Sequence, residues 1–184
     1  MKAVLDACVI YPTVLREILL GVAAQGLYQA LWSERILREW VRATAKLGPL
    51  AQLQAEGDAI LLRTSFARGE VRDQPGLEAR LLLPDPNDVH VLAVAIAGNA
   101  DCIVTLNAKD FPRHVLAEEG IARRDPDGLL WELWSHHPAQ VAQVVAQVHA
   151  TAQRLSGQSL PLKALLKRAQ LPKLAKAILS DHAA

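Results

Sequence analysis

The stretch from Leu83 to Phe111, which reads LPDPNDVHVLAVAIAGNADCIVTLNAKDF, constrains the fold of this chain more than any other. Asp85 can cap a helix whose first position is Pro86, and apolar residues then recur at helical spacing. The apolar run at residues 102–104 is long enough for a strand and too short for a helix. A polar turn closes the stretch. This order predicts a unit of a parallel α/β sheet, whose strands collect ligands at their carboxyl ends.

Strand-like and helical patterns alternate along the first two thirds of the chain. Short apolar runs predict strands at residues 3–5, 27–32, 81–83, 102–104 and 121–122. Their alternation with amphipathic segments predicts a parallel sheet with helices on both faces. From residue 125 onward the apolar spacing is helical throughout. We therefore predict an α/β domain over residues 1–124 and an all-helical region over residues 125–184.

Length and composition exclude several classes of protein. A chain of 184 residues with 51% hydrophobic side chains can bury a core without disulfides or structural metals. Its two cysteines, Cys8 and Cys102, lie in apolar runs and resemble small buried residues. No apolar run has the length of a membrane span, and no secretory leader opens the chain. We expect a cytoplasmic protein that makes no contact with a membrane.

The net charge of +1 conceals an uneven distribution. Residues 1–150 carry 14 basic and 18 acidic side chains, whereas residues 151–184 carry six basic and one acidic. A basic segment beside an acidic body suggests contact with nucleic acid or with an acidic protein. The alternative is a solvated helix face, and the sequence does not choose between them.

Acidic side chains occur where a parallel sheet would bring them together. Asp6 follows the first strand, Glu39 lies at the edge of an apolar helix stripe, and Asp88 lies in the first turn of a helix. Asp110 is a fourth candidate, with Asn107 close by. Clustered carboxylates repel one another unless a cation neutralises them, and Mg²⁺ prefers oxygen ligands. The spacing therefore favours a divalent metal site that activates water against a phosphodiester.

Each of these residues also has a structural explanation. Asp6 could cap the turn after its strand, and Glu39 could pair with a neighbouring arginine on its own helix. Asp88 could be a first-turn acid that the helix dipole favours, and Asp110 could be a turn residue. Singly these explanations suffice, but they do not account for the shared position at strand ends. His90 is predicted to be a helix-surface histidine rather than a ligand.

Other chemistries lack the residues that they need. The chain has no glycine-rich phosphate loop, no Cys/His spacing that suits zinc and no serine in a nucleophile elbow.

Four fragments of the chain carry a resemblance to a known family. They are VLDACV at residues 4–9, Ser33 with Ile36, Leu37 and Glu39, PDPNDVHVLA at residues 84–93, and VTLNAKDF at residues 104–111. In this order and spacing they resemble the PIN-domain superfamily, and within it the VapC-type toxin ribonucleases that carry an extra helical C-terminal region. It covers residues 1 to about 124 well and the C-terminal helices more loosely. It implies a three-layer α/β/α fold with a central parallel sheet, followed by a helical extension.

The resemblance also implies a site. Asp6, Glu39 and Asp88 match the metal-binding, catalytic carboxylates of these Mg²⁺- or Mn²⁺-dependent enzymes. The fourth acidic position of the family aligns with Asn107, where this chain has an amide. Asp110, three residues further on, could supply the missing charge, so the fourth ligand and the number of metal ions stay open.

The activity that the resemblance implies is endoribonuclease cleavage by the toxin of a toxin–antitoxin module. Thr105 or Asn107 would orient the attacking water or a ligand. Arg16, Arg38 and Lys109 are candidate contacts for RNA phosphates. The implied partners are the RNA substrate, a DNA-binding antitoxin of VapB type and a second copy of the chain.

Two other functions fit parts of the sequence. A PIN-like module that binds RNA or a protein without cleavage is favoured by the amide at Asn107 and opposed by the three intact carboxylates. A phosphatase-like or receiver-like α/β protein would need a phosphate-accepting aspartate, for which only Asp6 is available.

Overall fold

A four-stranded parallel sheet forms the centre of the computed structural model, which describes residues 1–181. Its strands are β1 (Lys2–Leu5), β2 (Gln29–Leu31), β3 (Cys102–Val104) and β4 (Ala122–Arg124). They lie in the order β2-β1-β3-β4, and every pairing is parallel. The order places β1 and β3 side by side at the centre. The predicted α/β/α fold with a central parallel sheet and a helical C-terminal extension is confirmed.

Helices connect the strands and make up the C-terminal region. They are α1 (Ala7–Ile10), α2 (Thr13–Ala24), α3 (Glu34–Thr44), α4 (Pro49–Ser65), α5 (Pro75–Glu78), α6 (Val89–Ala97), α7 (Arg113–Glu118), α8 (Pro126–His136), α9 (Pro138–Ser156), α10 (Leu162–Arg168) and α11 (Pro172–Asp181). Two short 3-10 helices cover Ala45–Leu47 and Pro86–Asp88. Across residues 1–181, no helix is both long enough and apolar enough to span a bilayer.

The strand predicted at residues 81–83 does not form. The place beside β2 is taken instead by residues 69–71, which bond to Trp32 on both sides of its peptide. The Trp32 amide donates to the Gly69 carbonyl at 2.9 Å, and the Val71 amide donates to the Trp32 carbonyl at 2.8 Å. Residues 69–71, and not residues 81–83, therefore pair with the chain at the carboxyl end of β2.

The chain divides into two compact units. The first contains residues 1–11 and 28–124, and the second contains residues 12–27 together with the chain from residue 125 onward. Helix α2 thus belongs with the C-terminal helices, whereas the sequence suggested a single division after residue 124. In the second unit α2 packs closely on α9, because a Cβ added at Gly21 would lie 2.5 Å from a methyl group of Val144.

Helix α6 is buried on every side in the first unit. All seven residues from Val89 to Ala95 are buried, so the helix has no solvent-facing stripe along this length. It ends at Ala97 with Gly98 as its C-cap, and the next residue, Asn99, adopts the left-handed conformation with φ of 48°. Asparagine tolerates this conformation, and the Ala100 amide then closes the helix end by donating to the Ala95 carbonyl. This capped, buried helix fixes the residues that precede it.

Helix α11 is anchored in the second unit by a distant carboxylate. Asp127 on α8 is buried and accepts from the backbone amides of Lys173 at 2.9 Å and Leu174 at 3.0 Å. These amides belong to the first turn of α11, where the helix itself offers no acceptor. Leu165 and Leu166 of α10 and Leu174 of α11 are buried. The exposed residues include the basic side chains Lys163, Lys167, Arg168, Lys173 and Lys176.

Replacement of Asp127 by Ala should destabilise the chain by about 2 kcal/mol, because it leaves two helix-terminal amides without their charged acceptor. Urea unfolding followed by circular dichroism measures the loss. Asp73→Ala, which removes an exposed acid, is the matched control. Equal stability of the two variants would contradict the anchoring role of Asp127.

Candidate metal centre

The site begins where β1 and β3 end. Leu5 pairs with Val104 in the parallel register, so the next residues, Asp6 and Thr105, lie side by side at the carboxyl edge of the sheet. The Asp6 amide continues the ladder by donating to the Val104 carbonyl at 3.2 Å. Asp6 is only 6% exposed. The central strand pair therefore places a buried carboxylate at the position that the sequence predicts.

Two side chains hold one oxygen of Asp6. The Thr105 hydroxyl donates to Asp6 Oδ2 at 2.6 Å, and the Cys8 thiol donates to the same oxygen at 3.0 Å. Both donors are themselves fixed, because the Asn107 amide donates to Thr105 Oγ1 and the Leu106 amide donates to Cys8 Sγ. Burial, followed by the charge of Asp6, raises the pKa of the Cys8 thiol to about 12. The thiol therefore keeps its proton at neutral pH and remains a donor.

The start of α6 contributes two further carboxylates. Asp85 accepts from the Asn87 amide at 2.9 Å, which confirms the predicted cap, and Asp88 follows at the end of the same 3-10 turn. One oxygen each of Asp85, Asp88 and Asp110 lies within 4.8 Å of the others. Arg123 on β4 holds the turn that carries Asp110, since its guanidinium donates to the carbonyls of Ala108 and Phe111.

Asp88 is the electrostatic centre of the site. Burial, and then the negative charges of Asp6, Asp85, Asp110 and Glu39, raise its pKa from 3.8 to about 6. All four acids thus act on one carboxyl group. Asn107 relieves part of this repulsion, because its side-chain amide donates to Asp88 Oδ2 at 3.1 Å.

Glu39 extends into the site from α3, and the side chains of Arg35 and His90 lie close to one of its oxygens. Oε1 of Glu39 lies 2.9 Å from His90 Nε2 and 3.4 Å from Arg35 Nε. Arg35 also contacts Glu78 Oε2 at 3.2 Å, which ties α3 to α5. The His90 ring is buried, and neither of its nitrogens makes a well-aligned hydrogen bond to a residue within the described chain.

The structure thus brings Asp6, Glu39, Asp88, Asn107 and Asp110 to one edge of the sheet in the first unit. The sequence missed three neighbours. Asp85 belongs to the acidic cluster as well as capping a helix, the Cys8 thiol donates to Asp6, and the His90 side chain is buried. The prediction for His90 was wrong because α6 is buried all round. Of the three, only Cys8 could have been found from the sequence, because it lies two residues after Asp6 on the same turn.

The predicted phosphate contacts have different surroundings. Arg38 is exposed and pairs with Glu34 at 3.3 Å, and Lys109 is exposed beside Asp110. Arg16 lies on α2 in the second unit, where it is buried and contacts Glu17 at 3.5 Å. A buried guanidinium lacks the solvent access that an RNA phosphate contact requires.

The donor atoms suit a hard divalent cation. Every acidic member of the site offers carboxylate oxygen, and the repulsion around Asp88 is of the kind that Mg²⁺ or Mn²⁺ relieves. The Cys8 sulfur is protonated and occupied by Asp6, so it does not compete as a soft ligand. The residues present therefore fit such an ion.

Comparison with known proteins gives one match. The family model of the PIN domain matches residues 2–109, which is more than half of the chain and includes every strand except β4. PIN domains are generally metal-dependent nucleases. The searches of curated proteins and of solved structures found no match.

The raised pKa of Asp88 should make the stability of the metal-free protein depend on pH. Its carboxyl group holds a proton more tightly in the folded than in the unfolded chain. This contribution favours folding below about pH 4 and is lost as the pH rises through about 6. In EDTA, Asp88→Asn should therefore gain melting temperature relative to the wild type across this interval. Thermal scans from pH 4 to 8 measure the gap, with Asp73→Asn as control. A gap that does not change with pH would contradict the assignment.

A second prediction concerns the fourth ligand. Asp110→Ala should weaken Mn²⁺ binding more than Asn107→Ala does, because Asp110 belongs to the carboxylate cluster and Asn107 directs its amide nitrogen to Asp88. Calorimetric titration with Mn²⁺ compares the dissociation constants. Lys109→Ala, in the same turn, controls for disturbance of the loop. The reverse order would assign the role of ligand to Asn107.

Proposed function

The chain belongs to the PIN-domain family, and on this premise we propose that it is a Mg²⁺- or Mn²⁺-dependent endoribonuclease. The nuclease-like fold and an acidic cluster able to bind metal are in place. To the fold and the acidic cluster, our proposal adds that this chain hydrolyses RNA phosphodiester bonds.

The observation that carries the proposal is the convergence of four acids on Asp88. A carboxylate whose pKa is raised to about 6 by burial and by its acidic neighbours is unfavourable in its charged form. A cation bound there would neutralise these charges, and this would account for the arrangement. If these acids served only in structural ion pairs, arginine or lysine side chains would lie among them. In the described chain, the arginine that pairs with a site carboxylate is Arg35, and its partner is Glu39 at the edge of the cluster.

Each side chain has a role in this proposal. Asp6, Glu39 and Asp88 would hold the cation, with Asp110 as the fourth ligand and Asp85 adding negative charge beside it. A bound divalent ion supplies positive charge that lowers the pKa of a water and stabilises the leaving oxygen of a phosphodiester. Asn107 would keep Asp88 oriented and Thr105 would keep Asp6 oriented, which is the second of the two roles, orienting water or a ligand, that the sequence suggested for them. Lys109 and Arg38 remain the candidate contacts for phosphate.

The biological setting is a further part of the proposal. The sequence resemblance to VapC-type toxins supports a toxin that acts in the cytoplasm, an antitoxin partner and a homodimer. A protein partner would find an apolar surface on α4, where Leu50, Leu53, Ile60 and Leu61 are between 61% and 81% exposed. The exposed cations of α10 and α11 offer a basic surface in the second unit.

One observation favours a second function. Asn107 replaces an acid that the resemblance leads one to expect, and a site with fewer charges could bind RNA or a protein without cleaving it. Asp110 weakens this alternative because it returns a carboxylate to the cluster.

Asp6→Asn and Asp88→Asn should each lower RNA cleavage by a factor of about 100 or more, because each removes a charge that holds the cation while keeping the size of the side chain. Both variants should stay folded. Cleavage of a fluorescent single-stranded RNA in Mn²⁺ measures the rate, and EDTA should abolish it in the wild type until Mg²⁺ or Mn²⁺ is restored.

Asp73→Asn controls for the loss of one negative charge outside the site and should cleave at the wild-type rate. Full activity of Asp6→Asn would exclude the proposed centre. A folded wild-type chain that binds RNA and Mn²⁺ but leaves the RNA intact would favour the binding module.

A further inference from the structure

The α10–α11 segment of the second unit presents positive charge and no negative charge. Residues 157–180 contain five basic side chains and no acidic one. All five are exposed, and none of them forms an ion pair within residues 1–180. They are Lys163, Lys167 and Arg168 on α10, and Lys173 and Lys176 on α11. Asp127, which contacts α11, binds two backbone amides of that helix and leaves these side-chain charges uncompensated.

The turn between α10 and α11 fixes these charges relative to one another. Gln170 adopts the left-handed conformation with φ of 60°, and the Leu171 amide donates to the Leu166 carbonyl at 2.9 Å. This is a common way for a helix to end, and the apolar residue that follows the left-handed one, Leu171, is buried. A surface whose helices are held in this way loses little conformational freedom when it binds a ligand.

An exposed indole lies on a neighbouring helix of the same unit. Trp131 on α8 is 46% exposed, and it is the aromatic member of the large hydrophobic side chains that are exposed in the described chain. Its ring makes no hydrogen bond or ring contact within residues 1–180. Asp127 lies one helical turn before Trp131 and binds the Lys173 amide. This part of α8 therefore adjoins the first turn of α11, where the lysines of that helix begin.

The combination of cations and an exposed aromatic ring suits a single strand of nucleic acid. Each lysine or arginine can neutralise a phosphate, and an unpaired base can stack on an aromatic face, whereas the bases of a duplex already stack on one another. A protein partner would require a wider apolar patch. Within residues 1–180, Trp131 is the large hydrophobic side chain that α8, α10 and α11 expose.

We propose that α8, α10 and α11 form a binding surface for single-stranded RNA, in which the basic side chains of α10 and α11 contact phosphates and Trp131 stacks on an unpaired base. The choice of RNA rests on the proposed function, which makes RNA the substrate. The surface lies outside the metal centre, whose residues all belong to the first unit. It would hold an RNA strand whether or not a metal ion is bound.

Fluorescence anisotropy of a short labelled single-stranded RNA, titrated with the full chain in EDTA, tests the role of Trp131. Without a divalent ion the carboxylates of the first unit repel phosphates, so binding reports the other surfaces. Trp131→Ala should weaken binding about tenfold, within the range for the loss of one stacked base, and should leave the salt dependence unchanged. Trp131→Phe keeps a ring and should retain most of the affinity. Neither variant should change the affinity for duplex RNA.

The same titration over a range of salt concentrations tests the cations. Replacement of Arg168, Lys173 and Lys176 together by Ala should weaken binding. It should also lower the slope of log affinity against log salt by about 2, because each phosphate contact on a single strand contributes about 0.7. The matched control replaces three exposed cations of the first unit, and it should keep the wild-type affinity and slope. These control residues are Lys46, Arg68 and Arg72.

The outcomes distinguish the inference from the proposed function. Wild-type affinity in Trp131→Ala, or an equal loss for single-stranded and duplex RNA, would overturn the stacking role. An equal change of slope in the two triple variants would overturn the basic surface. If the wild type binds RNA through this surface but does not cleave it in Mn²⁺, the proposed function fails and the inference stands. If it cleaves RNA while every variant keeps the wild-type affinity, the proposed function stands and the inference is overturned.

Discussion

Repulsion among carboxylates at the carboxyl edge of the sheet is the constraint that the first unit has to satisfy. Burial, and then the charges of Asp6, Asp85, Asp110 and Glu39, raise the pKa of Asp88, so the metal-free site opposes its own assembly. The opposing force comes from elements that cannot easily move apart. β1 and β3 are paired in the centre of the sheet, and α6 is buried over its first two turns. Packing in the most buried part of the first unit therefore offsets the unfavourable free energy of bringing these charges together.

The acids reach this edge from separate parts of the chain by different means. Asp6 is placed by the β1–β3 register, Asp88 by the start of α6, and Glu39 by α3, whose N-cap Ser33 accepts from the Ile36 amide. Asp110 depends on a turn that Arg123 holds through two carbonyls. Strand pairing and helix burial tolerate little displacement, whereas a turn held by one guanidinium tolerates more. Asp110 is therefore the member of the cluster whose position can most readily adjust to an ion.

Local patterns in the sequence predicted all four strands of the sheet, together with a strand at residues 81–83 that does not form. They also predicted that acidic residues meet at the carboxyl edge of the sheet, but they did not specify the pairing of β1 with β3 that places Asp6 beside Thr105. Periodicity says less about the environment of a residue once a helix is buried on every side, and this is why His90 was placed on the surface. The sequence predicted Asp85 as a cap but not as part of the cluster. The tertiary path of the chain, which local spacing does not specify, brings Asp110 close to Asp85. The hydrogen bond from Cys8 to Asp6 depends on side-chain orientation, which spacing does not specify.

The amide at Asn107 is better understood as a consequence of this electrostatic balance than as a defect. A carboxylate at this position would face Asp88 Oδ2 at the distance where the amide now donates, 3.1 Å, and would add a further negative charge to a group whose pKa is already about 6. The amide turns that contact into an attraction and fixes one oxygen of Asp88. The negative charge is supplied instead by Asp110, whose oxygen lies within 4.8 Å of those of Asp85 and Asp88. A divalent ion bound as we propose would compete with the proton for the same carboxyl group, so its binding would release a proton from Asp88 below about pH 6.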